Sequence, residues 1–459
     1  MKGVSTNPRV LLCTAYRRFK ADYSDITGTS VSLAKLPRRV SPGLRFIKQN
    51  VPEVEILEYP MWNEYVNKLK EGWDVVGFSF YQNEIGRVEK MASEARRQGV
   101  GETWAGNYGA LDYKVPALVD RVFTGPAENQ IAQVFGHKVP NEDIEHPVMM
   151  AHFSLLPGLR TLTCGLLYTA HGCPFRCKFC QTPAFEKRYF TINLESIERV
   201  LRYYKKRGVT YLACMDELFG INPGFTDKLT RLFARYKFKW WAQSRASLFL
   251  HNLDVWHERG LSIMAVGVES MLQNTLDSIN KKQNPEEIFE FTRRTCQKQD
   301  TFRMAYFMIG YEDMTAEETL KDVTLLKRAN FDTHAVVILT PFPRTVLWEE
   351  LDEKHGIFDY NYDHYRLRHL VWNHPHISPA QMQYLWKGIV RFLNTPFKTF
   401  RNIFSRVLLG GFREEKLRFV ERSFLKGPFA SLFIDDRKQV FFPKLIPLKK
   451  VSYEQPYQV

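Results

Sequence analysis

Three cysteines stand within eight residues in the stretch His171-Gly-Cys-Pro-Phe-Arg-Cys-Lys-Phe-Cys-Gln181, at Cys173, Cys177 and Cys180. At this C-x3-C-x2-C spacing all three thiols can face one point. Thiolates bind soft metals, chiefly zinc or iron–sulfur clusters. A structural zinc usually takes four protein ligands, commonly as two pairs. This sequence has no second pair, and His171 is the neighbour that could complete a zinc site. Three thiolates alone suit a four-iron cluster with one iron left open to another molecule. The remaining cysteines, Cys13, Cys164, Cys214 and Cys296, lie in apolar runs. All four are expected to be small buried hydrophobes.

The elements that must position these thiols are legible as alternation. From residue 161, β-like runs at 163–169, 209–215, 238–242, 261–268, 302–309 and 332–339 are each followed by a helical pattern. The first helix shows its ends clearly. Asn193 can cap it, Glu195 and Glu198 sit in its early turns, Lys205, Lys206 and Arg207 end it, and Gly208 closes it. Six such units predict a partial (β/α)6 barrel, with chemistry at the carboxyl ends of the strands. The cysteine stretch follows the first of those strands. Asp216-Glu217, Gln243-Ser244-Arg245, Glu269-Ser270 and Gly310 follow the next four. Singly, each charged residue there reads as a helix start or half of a salt bridge; together they form a candidate constellation.

The first half alternates too. Runs at 9–15, 54–59, 74–80, 103–106 and 121–125 read as strands, several of them continuously apolar, as expected of parallel strands covered on both faces. This predicts an α/β fold whose first domain, residues 1–140, is doubly wound and Rossmann-like. Gly106-Asn107-Tyr108-Gly109 and Gly125-Pro126-Ala127-Glu128 stand at its strand ends, where glycine admits a ligand or simply makes a turn. Residues 141–160 are expected as a linker, 161–345 as the barrel and 346–459 as a basic, aromatic-rich C-terminal segment. Ser378-Pro379-Ala380-Gln381 is a capping box that starts a helix near 379.

The cysteine spacing, with Phe179 before the last cysteine, resembles the radical S-adenosylmethionine superfamily. The resemblance covers roughly residues 160–350. It implies a [4Fe-4S] cluster on Cys173, Cys177 and Cys180 whose open iron binds S-adenosylmethionine, and reductive cleavage to a 5′-deoxyadenosyl radical. It also implies cofactor contacts from Phe179, Asp216, Glu217, Gln243, Arg245, Glu269, Ser270 and Gly310, with Lys281 or Lys282 matching a lysine found after the fourth strand. The chemistry fits: acids can meet the cofactor's positive groups and ribose hydroxyls, and Arg245 can fork its carboxylate. Where the family usually has a second Gly or Pro after Gly310, this chain has Tyr311.

A doubly wound domain ahead of the barrel resembles the class with an N-terminal cobalamin (B12)-binding-like domain. That class often methylates, so methyl transfer through cobalamin to an unactivated carbon of a small molecule, lipid or tetrapyrrole-like substrate is the expected function. A cobalamin-independent rearrangement, cyclisation or oxidation is the alternative, and a zinc-stabilised binding protein a third. The D-x-H-x-x-G motif that supplies cobalt with a histidine is absent, and residues 1–136 contain no histidine. Any bound cobalamin is therefore expected without a histidine ligand. Methylthiotransferases need three cysteines in the first domain, and only Cys13 is there. No residue is singled out as catalytic.

The composition, 44% hydrophobic and 25% charged with seven cysteines in 459 residues, excludes wholesale disorder and a disulfide scaffold. No run of apolar residues is long enough for a membrane span, and the opening MKGVSTNPRVLLCTAY does not read as a signal peptide, so a cytoplasmic setting is expected. Of the net +14, residues 380–459 carry +9, from 15 Lys and Arg against 6 Asp and Glu, together with 15 aromatic residues. Trp386, Phe392, Phe397, Phe400 and Phe404 fall at roughly helical spacing. Expected partners are a small-molecule or lipid substrate, an external electron donor of flavodoxin or ferredoxin type, and an anionic membrane surface met by this segment, but not nucleic acid.

Overall fold

The computed structural model describes residues 8–18, 40–153, 162–298 and 300–394. Five strands form the first sheet: β1 (Val10–Thr14), β2 (Glu55–Leu57), β3 (Val75–Ser79), β4 (Glu102–Gly106) and β5 (Arg121–Val122). All are parallel, in the order β2-β1-β3-β4-β5, a doubly wound arrangement whose order reverses between β1 and β3. Every residue of β1 is buried, which is why residues 10–13 are a continuous apolar run, closed by Thr14, whose hydroxyl accepts from Tyr59 N–H. The helix Ile85–Arg97 covers the sheet with Ile85, Val88, Met91, Ala92 and Ala95, at helical spacing, and ends on two arginines. Each large apolar side chain so buried contributes about 1.5–3 kcal/mol.

The second sheet is built of β6 (Met150–Phe153), β7 (Leu162–Leu167), β10 (Tyr211–Cys214), β11 (Lys239–Ser244), β12 (Leu261–Glu269), β13 (Phe302–Ile309) and β14 (Thr333–Ile338). A small antiparallel pair, β8 (Ala170–His171) and β9 (Phe190–Thr191), stands apart. The large sheet runs β14-β13-β12-β11-β10-β7-β6. Six of its strands are parallel, as the alternation predicts. The seventh, β6, corrects the reading of 141–160 as a plain linker: Met150–Phe153 pairs antiparallel with β7 and covers that edge of the barrel. It is too short and too close to Pro147 to announce itself as a strand.

The predicted helix ends are present. The Asn193 side chain accepts from the Glu195 and Ser196 N–H groups, and the helix Leu194–Lys206 finishes on Lys205 and Lys206. The Ser378–Gln381 capping box starts the helix Pro379–Leu393. That helix returns to the barrel: Trp386 Nε1 donates to Val336 O at 2.8 Å, and the Asn394 amide bonds both N and O of His334 at 2.9 Å. Of the basic tail, residues 395–459 lie outside the described residues, Phe397, Phe400 and Phe404 among them. No described helix is long and apolar enough to cross a membrane.

The two halves share a core. Phe46 of the first half packs edge-on against His146, Tyr168 and His171 at 5.1, 6.2 and 5.5 Å. The carboxyl ends of the two sheets therefore lie within reach of one another.

Candidate functional site

The cysteine loop leaves the barrel after β7 and is closed at its base by β8 and β9, where Ala170 faces Thr191 and His171 faces Phe190. Gly172 must be glycine: its φ is +77°, and a Cβ there would collide with the Arg188 carbonyl. Three backbone ties hold the loop across the barrel mouth. Lys178 N–H donates to Ile279 O at 3.0 Å, Leu347 N–H donates to Lys178 O at 3.0 Å, and Asn280 Nδ2 donates to Arg176 O at 2.8 Å. Cys173, Cys177 and Cys180 are free thiols, each half-buried. Burial pushes the Cys180 thiol up to about 11, partly offset by hydrogen bonds with Thr182. A thiol held that high as an acid becomes a thiolate only when a metal takes the proton's place.

Among the described residues no three His, Cys, Asp or Glu side chains converge closely enough to share a single ion. A four-iron cluster makes no such demand, because each thiolate takes a different iron around a cube. His171, the candidate fourth zinc ligand, packs against Phe46 and Phe190, and burial lowers its pKa to about 4. The donor set fits a cluster better than zinc.

Arg245, directly after β11, reaches the loop with its guanidinium. Its guanidinium lies 3.6 Å over the Phe175 ring, Nη2 donates to Cys177 Sγ at 3.7 Å, and Nη1 donates to Lys282 O at 2.6 Å. A positive charge there stabilises a thiolate-bound anionic centre.

The other expected cofactor residues fall into two groups. Glu217 has Oε2 buried with no hydrogen-bond partner, and burial pushes its carboxyl up to about 8. An ammonium brought beside that oxygen would supply the missing partner and draw the carboxyl back toward its ionised form. Glu269, at a left-handed φ of +63° beside an irregularity in β12, pairs with Lys281 Nζ at 2.9 Å. Gln243 orders this rim by donating to Asp216 O at 2.8 Å. Gly310, φ +84°, ends β13 against Met382, and Phe179 packs on the core.

Two residues are committed elsewhere. The Asp216 carboxylate accepts from both N and Oγ1 of Thr169 at 2.5 Å, which ties β10 to the strand that launches the cysteine loop. Ser270 is fully buried and donates to Asp322 Oδ2 at 2.6 Å. Both are spent on internal hydrogen bonds. Cys13, Cys164 and Cys214 are buried as expected; Cys296 is exposed at the end of a helix, which corrects that reading. It stands between Arg293-Arg294-Thr295 and Gln297-Lys298, polar neighbours that keep the end of this helix at the surface.

The seam between the halves was not legible in the sequence. Tyr108, after β4, stacks on Phe185 at 4.5 Å and shares a hydrogen bond with Thr182 at 3.3 Å, two residues beyond Cys180. Gly125 faces the same loop: its Cβ would stand 3.0 Å from Glu186 Oε2 and 3.2 Å from Phe185 O. Gly109 is packed against Phe80. Only Gly106 of these glycines faces open space, beside Ser79 at the carboxyl ends of β4 and β3. That open end lies on the side of the first sheet that faces the cysteine loop, where Tyr108 reaches Thr182. Two histidines follow the last strand of the first domain. His137 stands 3.1 Å from Glu53, and the buried His146 places Nδ1 2.6 Å from Pro147 O and accepts from Tyr168 N–H at Nε2.

Residues 167–326 match the Radical SAM superfamily. Among curated proteins, an uncharacterized methyltransferase of Pyrococcus horikoshii is 26% identical over 250 residues, 52% of this chain and 54% of that protein. The match thus spans about half the length of that relative. The bacteriochlorophyllide d C-8(2)-methyltransferase of Chlorobaculum tepidum is 23% identical over 402 residues, 78% of this chain and 88% of that protein. Among solved structures, the radical S-adenosylmethionine methyltransferase TsrM from Kitasatospora setae, with cobalamin and a [4Fe-4S] cluster bound, has a TM-score of 0.60 at 16% identity. The likeness covers 92% of this chain and all of TsrM, and it concerns the fold.

Proposed function

We propose that this chain, whose residues 167–326 match the Radical SAM superfamily and whose first domain has a cobalamin-binding-like fold, is a radical S-adenosylmethionine methyltransferase acting on an unactivated carbon of a tetrapyrrole-like small molecule. The observation that carries this reading is the placement of the three-cysteine loop. It sits at the carboxyl end of the barrel, under Arg245, and directly beneath the strand ends of the first domain. The methyltransferase names of both curated relatives support the reaction class, and the bacteriochlorophyllide named for the second supports the substrate class.

When bound, a [4Fe-4S] cluster supplies the electron that cleaves S-adenosylmethionine to a 5′-deoxyadenosyl radical, and cobalamin supplies the methyl group. The protein's part is to hold and orient. Cys173, Cys177 and Cys180 hold the cluster, and Arg245 sets positive charge beside Cys177. Glu217 offers the unoccupied acceptor for the cofactor's ammonium, and Glu269, fixed by Lys281, an acceptor on the neighbouring strand end. Tyr108, Phe185 and Gly125 close the seam and exclude water from the radical. The open Gly106 end of the first domain, in a stretch 1–136 without a histidine, would hold the corrin.

The test is anaerobic reconstitution with iron and sulfide, followed by reduction with S-adenosylmethionine, with and without hydroxocobalamin. The reading expects four irons per chain, 5′-deoxyadenosine release, and S-adenosylhomocysteine only when cobalamin is present. Alanine at any of the three cysteines removes all of these. 5′-Deoxyadenosine without any S-adenosylhomocysteine would favour a cobalamin-independent radical reaction. Stoichiometric zinc with no iron would defeat the reading.

A further inference from the structure

Segment 359–369 carries two guanidinium groups that the described residues neutralise weakly: Arg366, with one long ion pair, and Arg368. Segment 359–369 crosses the carboxyl end of β14, where Ile338 N–H donates to Leu367 O at 2.9 Å. It meets the first domain through the Arg18–Asp363 ion pair at 2.5 Å. The segment's carboxylates are taken. Asp359 is bonded to His364 at 2.6 Å, and both oxygens of Asp363 accept from Arg18 at 2.7 and 2.5 Å. Arg366 reaches Asp363 only at 3.5 Å, and its Nε is buried with no hydrogen-bond partner. Arg368 is half-buried, and among the described residues its guanidinium has no carboxylate and no hydrogen-bond acceptor. Burial, and then the neighbouring Arg366, lower its pKa.

An arginine desolvated without a partner destabilises the fold that holds it. Its planar fork is matched to a carboxylate, which it can bind through two parallel hydrogen bonds. Two such forks, two residues apart on the segment that crosses the carboxyl end of β14 and meets the first domain, have the donor set of an anion site. We propose that Arg366 and Arg368 form an anion subsite that takes a carboxylate of the substrate and so fixes which end of it faces the cysteine loop. The inference rests on the reading of a tetrapyrrole-like substrate, whose acidic side chains would supply that group.

The experiment uses the full chain reconstituted with its cluster, titrated with protoporphyrin IX and with its dimethyl ester. The diacid is expected to bind at least about tenfold more tightly than the ester, the effect of one charge-assisted contact. Arg368→Met should bring the two affinities together, and Arg368→Lys should keep part of the preference. Arg368→Met should also melt no lower than the wild type, since it removes an uncompensated cation. A wild-type preference near one, a preference unchanged in Arg368→Met, or a clear fall in its melting temperature would overturn the subsite. Should neither porphyrin bind below about 100 µM, the tetrapyrrole reading fails. Succinate then decides the subsite: stabilisation of the wild type but not of Arg368→Met supports it, and stabilisation of neither overturns it.

Discussion

Removing either half of the Glu269–Lys281 pair should cost more stability than its place on a catalytic rim suggests. The two groups stand 2.9 Å apart, with side chains only 13% and 9% exposed. Glu269→Gln leaves an ammonium without its counter-charge, and Lys281→Met leaves a carboxylate. Breaking a fully buried pair this way costs about 3–5 kcal/mol. The residual exposure brings the expectation down to about 2–3 kcal/mol for each single variant. At roughly 2–4 °C per kcal/mol for a domain of this size, that is a fall of about 5–10 °C. The double variant should lose less than the sum of the two, by about 1–2 kcal/mol of coupling. Differential scanning fluorimetry on the reconstituted protein reads the stability term, and calorimetric titration with S-adenosylmethionine reads the cofactor term. Glu269→Gln should weaken cofactor binding about tenfold, whatever its melting temperature. If both single variants melt within about 1 °C of the wild type, the pair is not holding the rim and this reasoning is wrong.

Three further outcomes are expected. Gly172→Ala keeps all three cysteines yet drives a Cβ into the Arg188 carbonyl at a left-handed φ; iron content after reconstitution should fall well below the wild type, and a full cluster would refute the constraint. Ser270→Ala should destabilise by about 1–3 kcal/mol by taking the partner from Asp322 Oδ2 while Oδ1 keeps Met271 N–H, with S-adenosylmethionine affinity unchanged; a loss of affinity at unchanged stability would return Ser270 to the cofactor site. Glu128 is buried, its Oε2 has no hydrogen-bond partner, and burial pushes its carboxyl up to about 7. A raised folded pKa means the native state binds more protons than the unfolded one between about pH 4.5 and 7, so its contribution to stability is lost as pH rises through that window. Glu128→Gln should therefore gain on the wild type as pH rises, and parallel melting curves against pH would refute this.

Much of the positioning frame was written in local sequence. Thiol chemistry is specified by three cysteines close in the chain, so Cys173, Cys177 and Cys180 needed no fold to be identified. Parallel strands buried on both faces leave continuous apolar runs, so β1, β3 and the six barrel strands were visible. Helix ends depend on one or two side chains, so Asn193 and Ser378 could be read directly. The short edge strand β6 could not, because its pairing with β7 supplies what its own four residues lack. Nor could the fate of each rim residue. Asp216 and Glu217 are adjacent and chemically alike, yet Thr169 occupies the first, while the second is left with a buried oxygen that nothing bonds. Ser270 turns to Asp322, 52 residues away, and Tyr108 reaches Thr182, 74 residues away. Residue type and spacing determined which groups could do chemistry. Only long-range packing decided which of them are already satisfied by the protein and which, like Glu217, keep a buried oxygen with no hydrogen-bond partner.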